Sequence, residues 1–506
     1  ILLVALSALT LLVGCGSSSP KAVPPPSGGF SNSNLNGTYT FSSEGFDSAG
    51  NFFAMAGSFA ANGSGGITGG ALDINDPAVG VAPNQTIASN SSYTVTADGR
   101  GTATLGTPVG NFGLDFVLTS SSHGLITRFD TGGSGSGSLD LQTSVALAGP
   151  YTFSLSGVDA SGVNPLVSVG TFTVSGSTIA GVADVVEDIN GVSLPSPGLT
   201  LTGSLALGSG TAPGTATLTA GSFTFNLDVY AIDSTHLKLI ETDVAPIIVG
   251  DAFTQQTTIP SGQLVFTAAG LDSSDLPMAM GGYVTSDGAS MLTTGLQDVN
   301  DAGVPAQVSF SGSFLPLSGG RTQVTLNGLF NGTTGSSFTF AAYPTVNGGI
   351  QLLEIDGFGI TSGAAFAQTS TSFASPEGYG FNLSGSNSGG FEEDDIAEFT
   401  ATSGSLTGII DVNDEGSLDF NQKISGNFAA DATANSGRGT VTTTFVNGLY
   451  YVVDGSNILF VETDNNQVGI GSFGLQASSS AQPALMMARF ARVRPKGSAR
   501  LAWRQK

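Results

Sequence analysis

Five short blocks recur in the same order four times along this chain, and nothing else in it constrains the fold as strongly. The first block reads "GTYTFSSEGFD" from Gly37, "GPYTFSLSGVD" from Gly149, "GQLVFTAAGLD" from Gly262 and, more loosely, "GYGFNLSGSN" from Gly378. The second is Asp73-Ile74-Asn75, Asp188-Ile189-Asn190, Asp298-Val299-Asn300 and Asp411-Val412-Asn413, spaced by 115, 110 and 113 positions. The third is "RGTATL", "PGTATL", "RTQVTL" and "RGTVTT", from Arg100, Pro213, Arg321 and Arg438. The fourth is "HGLITRFD" (123–130), "HLKLIETD" (236–243), "GIQLLEID" (349–356) and "NILFVETD" (457–464). The fifth sets a glycine five positions before a glutamine: Gly137/Gln142, Gly250/Gln255, Gly363/Gln368 and Gly471/Gln476. Self-similarity of this kind marks a tandem array. The units run over 35–145, 146–259, 260–373 and 374–478.

Inside a unit, apolar residues alternate. Tyr151, Phe153 and Leu155 share one face of "YTFSLSG", and Phe223, Phe225, Leu227 and Val229 share one face of "FTFNLDVYAID". Period two is a strand signature, and the Gly and Asx clusters between runs supply turns. About eight strands fit each unit, and no segment keeps a 3.6-residue apolar stripe. The predicted class is all-β: four tandem antiparallel units, each an up-and-down barrel, since closure removes exposed edges. Such a unit is loosely similar to the calycin type. An immunoglobulin-like β-sandwich is the alternative, without the Cys…Trp…Cys spacing of true immunoglobulin domains. Each unit is long enough to fold alone, so the expectation is beads on a string.

The ends differ from the body. "ILLVALSALTLLVGCGSSSP" has an apolar run too short to span a bilayer, which suits a secretory h-region over 1–14. No Met or basic n-region precedes it, which implies a natural start further upstream. Leu12-Val13-Gly14-Cys15 resembles the lipobox of bacterial lipoproteins. That resemblance implies cleavage before Cys15, lipidation of its sulfur and its new amine, and a stable anchor from several acyl chains. Gly16 and Ser17, with no Asp after the cysteine, resemble outer-membrane sorting in Gram-negative lipoproteins. Residues 15–34 then form a Pro/Gly/Ser tether. Cys15 is the only cysteine, so no disulfide forms within the chain. The tail 479–506 carries seven basic residues and no acid; removing those from the net charge of −24 leaves −31 on the preceding chain. So acidic a body repels phosphate backbones, and nucleic acid is excluded as a partner. The tail is read as a basic extension, with docking on anionic lipid or on the acidic repeats as the alternative.

Two acidic patterns could carry chemistry. The Asp-x-Asn block resembles the start of a calcium loop, but no copy has a Glu at the twelfth position. Asp and Asn after an apolar run also suit a tight turn, which is the preferred reading. Calcium stays open in the third and fourth units, through Asp298, Asn300, Asp301, Asp411, Asn413 and Asp414. In the fourth block an apolar strand face ends in two acids, so Glu241, Glu354 and Glu462 are expected near the mouth of each barrel, where a ligand could be held. The first unit has Arg128 there. The structural alternative pairs the scarce arginines with these acids, Arg321 with Glu354 and Arg438 with Glu462. His123 and His236 share a repeat position with Gly349 and Asn457, which reads as a turn. Tyr39, Tyr151 and Tyr379 read as core. No zinc set, serine-hydrolase elbow or P-loop is visible, so catalytic residues are read as none.

The sequence thus predicts a lipid-anchored cell-envelope protein whose repeats serve a structural, adhesive or binding role without catalysis. Its partners would be the membrane, through the anchor, and a protein, surface or small molecule that the sequence does not specify. The rivals are a carrier with an apolar ligand inside each barrel and a carboxylate-based hydrolase.

Overall fold

In a computed structural model, residues 29–477 are described, apart from 144, 148, 331, 333–336, 347, 388 and 432–435. The lipobox, Cys15, most of the tether and the basic tail lie outside the described residues. Residues 29–34 do not behave as tether: Phe30 is buried in the first core and its N–H donates to Ala97 O at 3.0 Å.

Among the described residues the strands form four separate antiparallel sheets, one per repeat unit, and none continues from one unit into the next. Units two, three and four are closed eight-stranded barrels in sequential order. Closure comes from the first and last strands: Gly149–Val158 pairs with Ile247–Thr254, Gly262–Leu271 with Ile360–Ala367, and Glu377–Asn387 with Gln467–Leu475. The first unit has nine strands, because its fourth is split into Gly80–Ile87 and Ser92–Val95. Backbone bonds Ile67 N to Ser91 O and Ala88 N to Gly106 O, at 3.0 and 2.8 Å, bridge that seam. The architecture is therefore the up-and-down barrel rather than the sandwich.

Alternation fixes what lies inside. Tyr151, Phe153 and Leu155 point into the second barrel among Phe172, Leu201, Leu218 and Phe225. Tyr39, Tyr151 and Tyr379 are core residues whose hydroxyls donate to backbone carbonyls of Ser121, Ser234 and Ala374 at 2.6–2.8 Å. The glycine of the fifth block has a steric cause. A Cβ on Gly137, Gly250, Gly363 or Gly471 would lie 1.7–2.2 Å from a carbonyl oxygen of the first strand (Ser42, Ser154, Thr267 and Asn382). Only glycine lets the last strand close on the first there.

The units are not beads on a string. Each packs on the next, and the fourth packs back on the first. Apolar clusters join unit one to two (Phe52, Ala54, Tyr230, Val249), two to three (Val167, Val186, Tyr343, Leu353), three to four (Val265, Ala279, Tyr451, Val461) and four to one (Ile396, Val117, Leu125). The outer strand faces carry these apolar side chains, which a self-sufficient barrel would leave in water. That is why the repeats associate into a closed ring.

Candidate functional site

The repeated polar blocks meet at the junctions between barrels. In the third strand of unit three, Met291–Asp301, Val299 points into the core, so Asp298 and Asn300 point outward together. Asp298 accepts from Arg438 Nε and Nη2 of unit four at 2.7 and 2.8 Å, and from Tyr451 Oη at 2.5 Å. Asn300 Nδ2 donates to the carbonyls of Glu462, Asp464 and Gln467, each at 3.0 Å. Asp411 and Asn413 do the same toward unit one: Asp411 lies 3.4 Å from Arg100 Nη1, and Asn413 donates to Arg128 O and Gly133 O at 2.7 and 2.8 Å. Asn75 reaches Asp243 O of unit two at 2.8 Å.

These geometries correct both readings of the Asp-x-Asn block. Asp298, Asn300, Asp411 and Asn413 are strand residues, not turn residues. Their outward oxygens and amides serve the neighbouring barrel, while Asp301 and Asp414 alternate to the other face, so a calcium-loop array does not assemble. Among the described residues, no three His, Cys, Asp or Glu side chains gather as metal ligands.

Unit two corrects the alignment itself. Strand register pairs Gly57 with Leu72, Gly170 with Ala183, Gly282 with Gln297 and Ala397 with Ile410. The residue that follows is Asp73, Asp184, Asp298 or Asp411. Asp184, not Asp188, is therefore the second unit's junction aspartate, and Val186 stands where the asparagines stand. Asp188 and Asn190 form a real turn, with Asn190 at φ 57° and Gly191 N–H donating to Asp188 Oδ1 at 2.8 Å. Asp184 is fully buried and receives Arg321 Nε and Nη2 at 2.8 and 2.7 Å, with the Tyr343 hydroxyl on its Oδ2. The pairs of Arg321 with Glu354 and Arg438 with Glu462 are thus replaced by Arg321–Asp184 and Arg438–Asp298. Arginine answers an acid, but across a junction, because both lie on outer faces.

At the other two junctions the third-strand aspartate is less well matched: among the described residues Asp73 has no arginine, and Asp411 lies 3.4 Å from Arg100. Asp73 faces Tyr230 and Asp228 of unit two, where Pro213 occupies the arginine position. Burial, then the Asp228 carboxylate, raises Asp73 to about 7. Where unit four meets unit one, Arg100 alone stands among Asp98, Asp411, Asp115 and Glu398. Burial, then Asp411, raises Asp115 to about 8; burial, then Asp98, raises Glu398 to about 8.

The glutamine of the fifth block is a clamp on the following barrel. Gln142 Nε2 donates to Ala231 O at 2.8 Å, Gln255 to Gly319 O at 2.9 Å, and Gln368 to Val452 O at 2.6 Å. Gln476 donates to Asp98 O and Leu118 O at 2.8 and 3.0 Å. His123 and His236 are not turn fillers. They are buried and join one polar chain across the first junction, with His123 Nδ1 2.7 Å from Asp140, His236 Nε2 2.9 Å from Asp251, and Lys238 Nζ 3.4 Å from each aspartate. Burial opposes ionisation of Asp140, but Lys238 and His123 outweigh it and hold the carboxyl well below its usual range.

Glu241, Glu354 and Glu462 lie at one end of their barrel interiors, each no more than 1% exposed. Glu241 accepts backbone N–H groups of Asn226, Thr242 and Asp243 at 3.1–3.2 Å, and burial raises it to about 7. The equivalent Arg128 lies 3.6 Å from Asp76 and 3.2 Å from Asp130, over the rings of Phe53 and Phe112. The described cavities inside the barrels are small. An all-apolar cavity of about 60 Å³ remains in the third barrel and one of about 20 Å³ in the fourth.

No family model matches this chain, and no curated protein does. Among solved structures, the intact Ap-TbpB with its N and C lobes is 10% identical over 72% of this chain and 86% of that one, with a TM-score of 0.18. An AttH-type protein from Nitrosomonas europaea is 11% identical over 69% and 98%, with a TM-score of 0.13. At those TM-scores neither likeness bears on what this chain does.

Proposed function

We propose that the chain is a lipid-anchored cell-envelope protein, of the outer-membrane type, whose closed ring of four β-barrels is a non-catalytic structural, adhesive or binding module. The observation that carries the role is where the repeated polar residues lie. The third-strand aspartates, the arginines of the third repeated block and the glutamines bond neighbouring barrels, so what the repeats share is assembly. The anchor rests on Leu12-Val13-Gly14-Cys15. Ordinary ligand pockets occupy roughly 300–1,000 Å³, and the cavity of about 60 Å³ in the third barrel argues against the apolar carrier.

Labelled palmitate tests the anchor in a bacterial host. The wild-type chain takes the label and fractionates with outer membrane, whereas Cys15→Ala does neither. A label that fails to incorporate, or that survives Cys15→Ala, defeats the reading.

A further inference from the structure

One end of the fourth barrel differs from its three counterparts. Register places Phe53 and Met55, Leu166 and Ser168, Met278 and Met280, and Glu393 and Asp395 at the same two inward positions of the second strand. Three units set apolar or small neutral side chains there. The fourth sets two carboxylates. On the neighbouring third strand Asp414 pairs with Glu393, and Glu462 ends the inward row Ile458, Phe460, Glu462, with Asp464 just beyond. The five acids therefore converge inside one barrel mouth.

The protein supplies them little compensation. Asp414 accepts from Asn387 Nδ2 at 2.8 Å, an amide that also reaches Glu393, and Asp464 accepts from Asn447 Nδ2 and Asn466 N–H at 2.9 and 2.8 Å. Asp395 and Glu462 are each 1% exposed; Asp395 Oδ1 has no hydrogen-bond partner, and Glu462, which shares a hydrogen bond with Asp464, leaves its Oε2 without one. Among the described residues no cation pairs with any of the five. A buried carboxylate without a partner is strongly disfavoured and holds either a proton or a cation. Burial first, then the neighbouring carboxylates, pushes both groups well above the usual range and Glu393 to about 7.

The first barrel shows what fits. At the Glu462 position it carries Arg128, whose guanidinium lies inside the mouth beside Asp76 and Asp130. Asp76 and Asp130 are the counterparts of Asp414 and Asp464. The first barrel thus contains its own cation, and the fourth has exchanged that cation for a fifth acid. We propose that the mouth of the fourth barrel binds a guanidinium or primary ammonium group presented by an external ligand. Asp395 and Glu462 would form the floor of the site. Glu393, Asp414 and Asp464, only partly buried, would line its entrance. A planar guanidinium matches paired carboxylates through several N–H donors. The carboxylates are not gathered as metal ligands. This site is independent of the envelope reading and survives its failure.

Calorimetric titration of the full chain with methylguanidinium chloride at low ionic strength tests it, with calcium chloride as the second titrant. The wild-type chain is expected to bind methylguanidinium saturably. Glu462→Gln and Asp395→Asn should each weaken binding at least about tenfold, the loss of one charged hydrogen-bond partner. Glu462→Arg, which recreates the first barrel's arrangement, should abolish binding and raise the melting temperature. Absence of saturable binding by the wild-type chain overturns the proposal, as does equal affinity in the Gln and Asn variants. Saturation by calcium with none by methylguanidinium overturns it too. If a variant fails to fold, the wild-type titration alone decides.

Discussion

Gln476 Nε2 donates to Leu118 O at 3.0 Å, tying the end of the fourth barrel to the seventh strand of the first, Gly110–Leu118. Beside it Ala477 N–H donates to Thr119 O at 2.7 Å, repeating the contacts that Thr143, Gln256 and Thr369 make with the barrel after their own. The same bond that links consecutive units therefore also closes the ring, across more than three hundred residues of chain.

Ring closure predicts a specific cross-link. In a Cys15→Ala background, Thr119→Cys with Ala477→Cys should oxidise to an intramolecular disulfide without loss of thermal stability, read on a non-reducing gel. An extended string of barrels would keep those two thiols apart. Gln476→Ala should lower stability by about 1 kcal/mol, the worth of an ordinary buried hydrogen bond.

The junction arginines should differ in weight. Arg321 is buried against a fully buried Asp184, so Arg321→Ala strands a carboxylate and should cost about 3–5 kcal/mol. Arg100 is 18% exposed in its side chain and 3.4 Å from Asp411, so Arg100→Ala should cost about 1 kcal/mol or less. Denaturant unfolding of the two variants checks the order, and equal costs would contradict it.

The first junction should weaken as pH rises. Asp73 is raised to about 7, so the folded chain keeps a proton that the unfolded chain has already released. Stability is then full below the ordinary carboxylate range and is lost as pH climbs through about 7. Asp115 and Glu398, raised to about 8, add the same sign where unit four meets unit one. Pro213→Arg would supply the guanidinium that the other junctions possess and should reduce the slope. The check is the unfolding midpoint of both proteins at about pH 5 and about pH 8.

Closure of each barrel should depend on its last-strand glycine. Gly250→Ala places a methyl 1.8 Å from Ser154 O, so the first and last strands must separate. The expected loss is at least about 1–3 kcal/mol, the usual cost of overpacking. A melting temperature unchanged in Gly250→Ala would remove the steric account.

The sequence by itself determined the elements. Four copies of five blocks, with apolar residues at every second position, specified four β-sheets, their approximate limits and the inward placing of Tyr151, Phe153 and Glu462, because strand alternation is a local property. It also marked Asn300, Arg438 and Gln476 as repeated. It did not reveal their partners, since each bonds a barrel other than its own and nothing within one unit encodes that contact. Choosing Asp184 over Asp188 needed the pairing of Gly170 with Ala183, which follows from hydrogen bonding between strands rather than from motif spacing. The acidic mouth of the fourth barrel stayed hidden for the same reason. Glu393 and Glu462 lie far apart along the chain, and only closure of the sheet turns their side chains into one confined space.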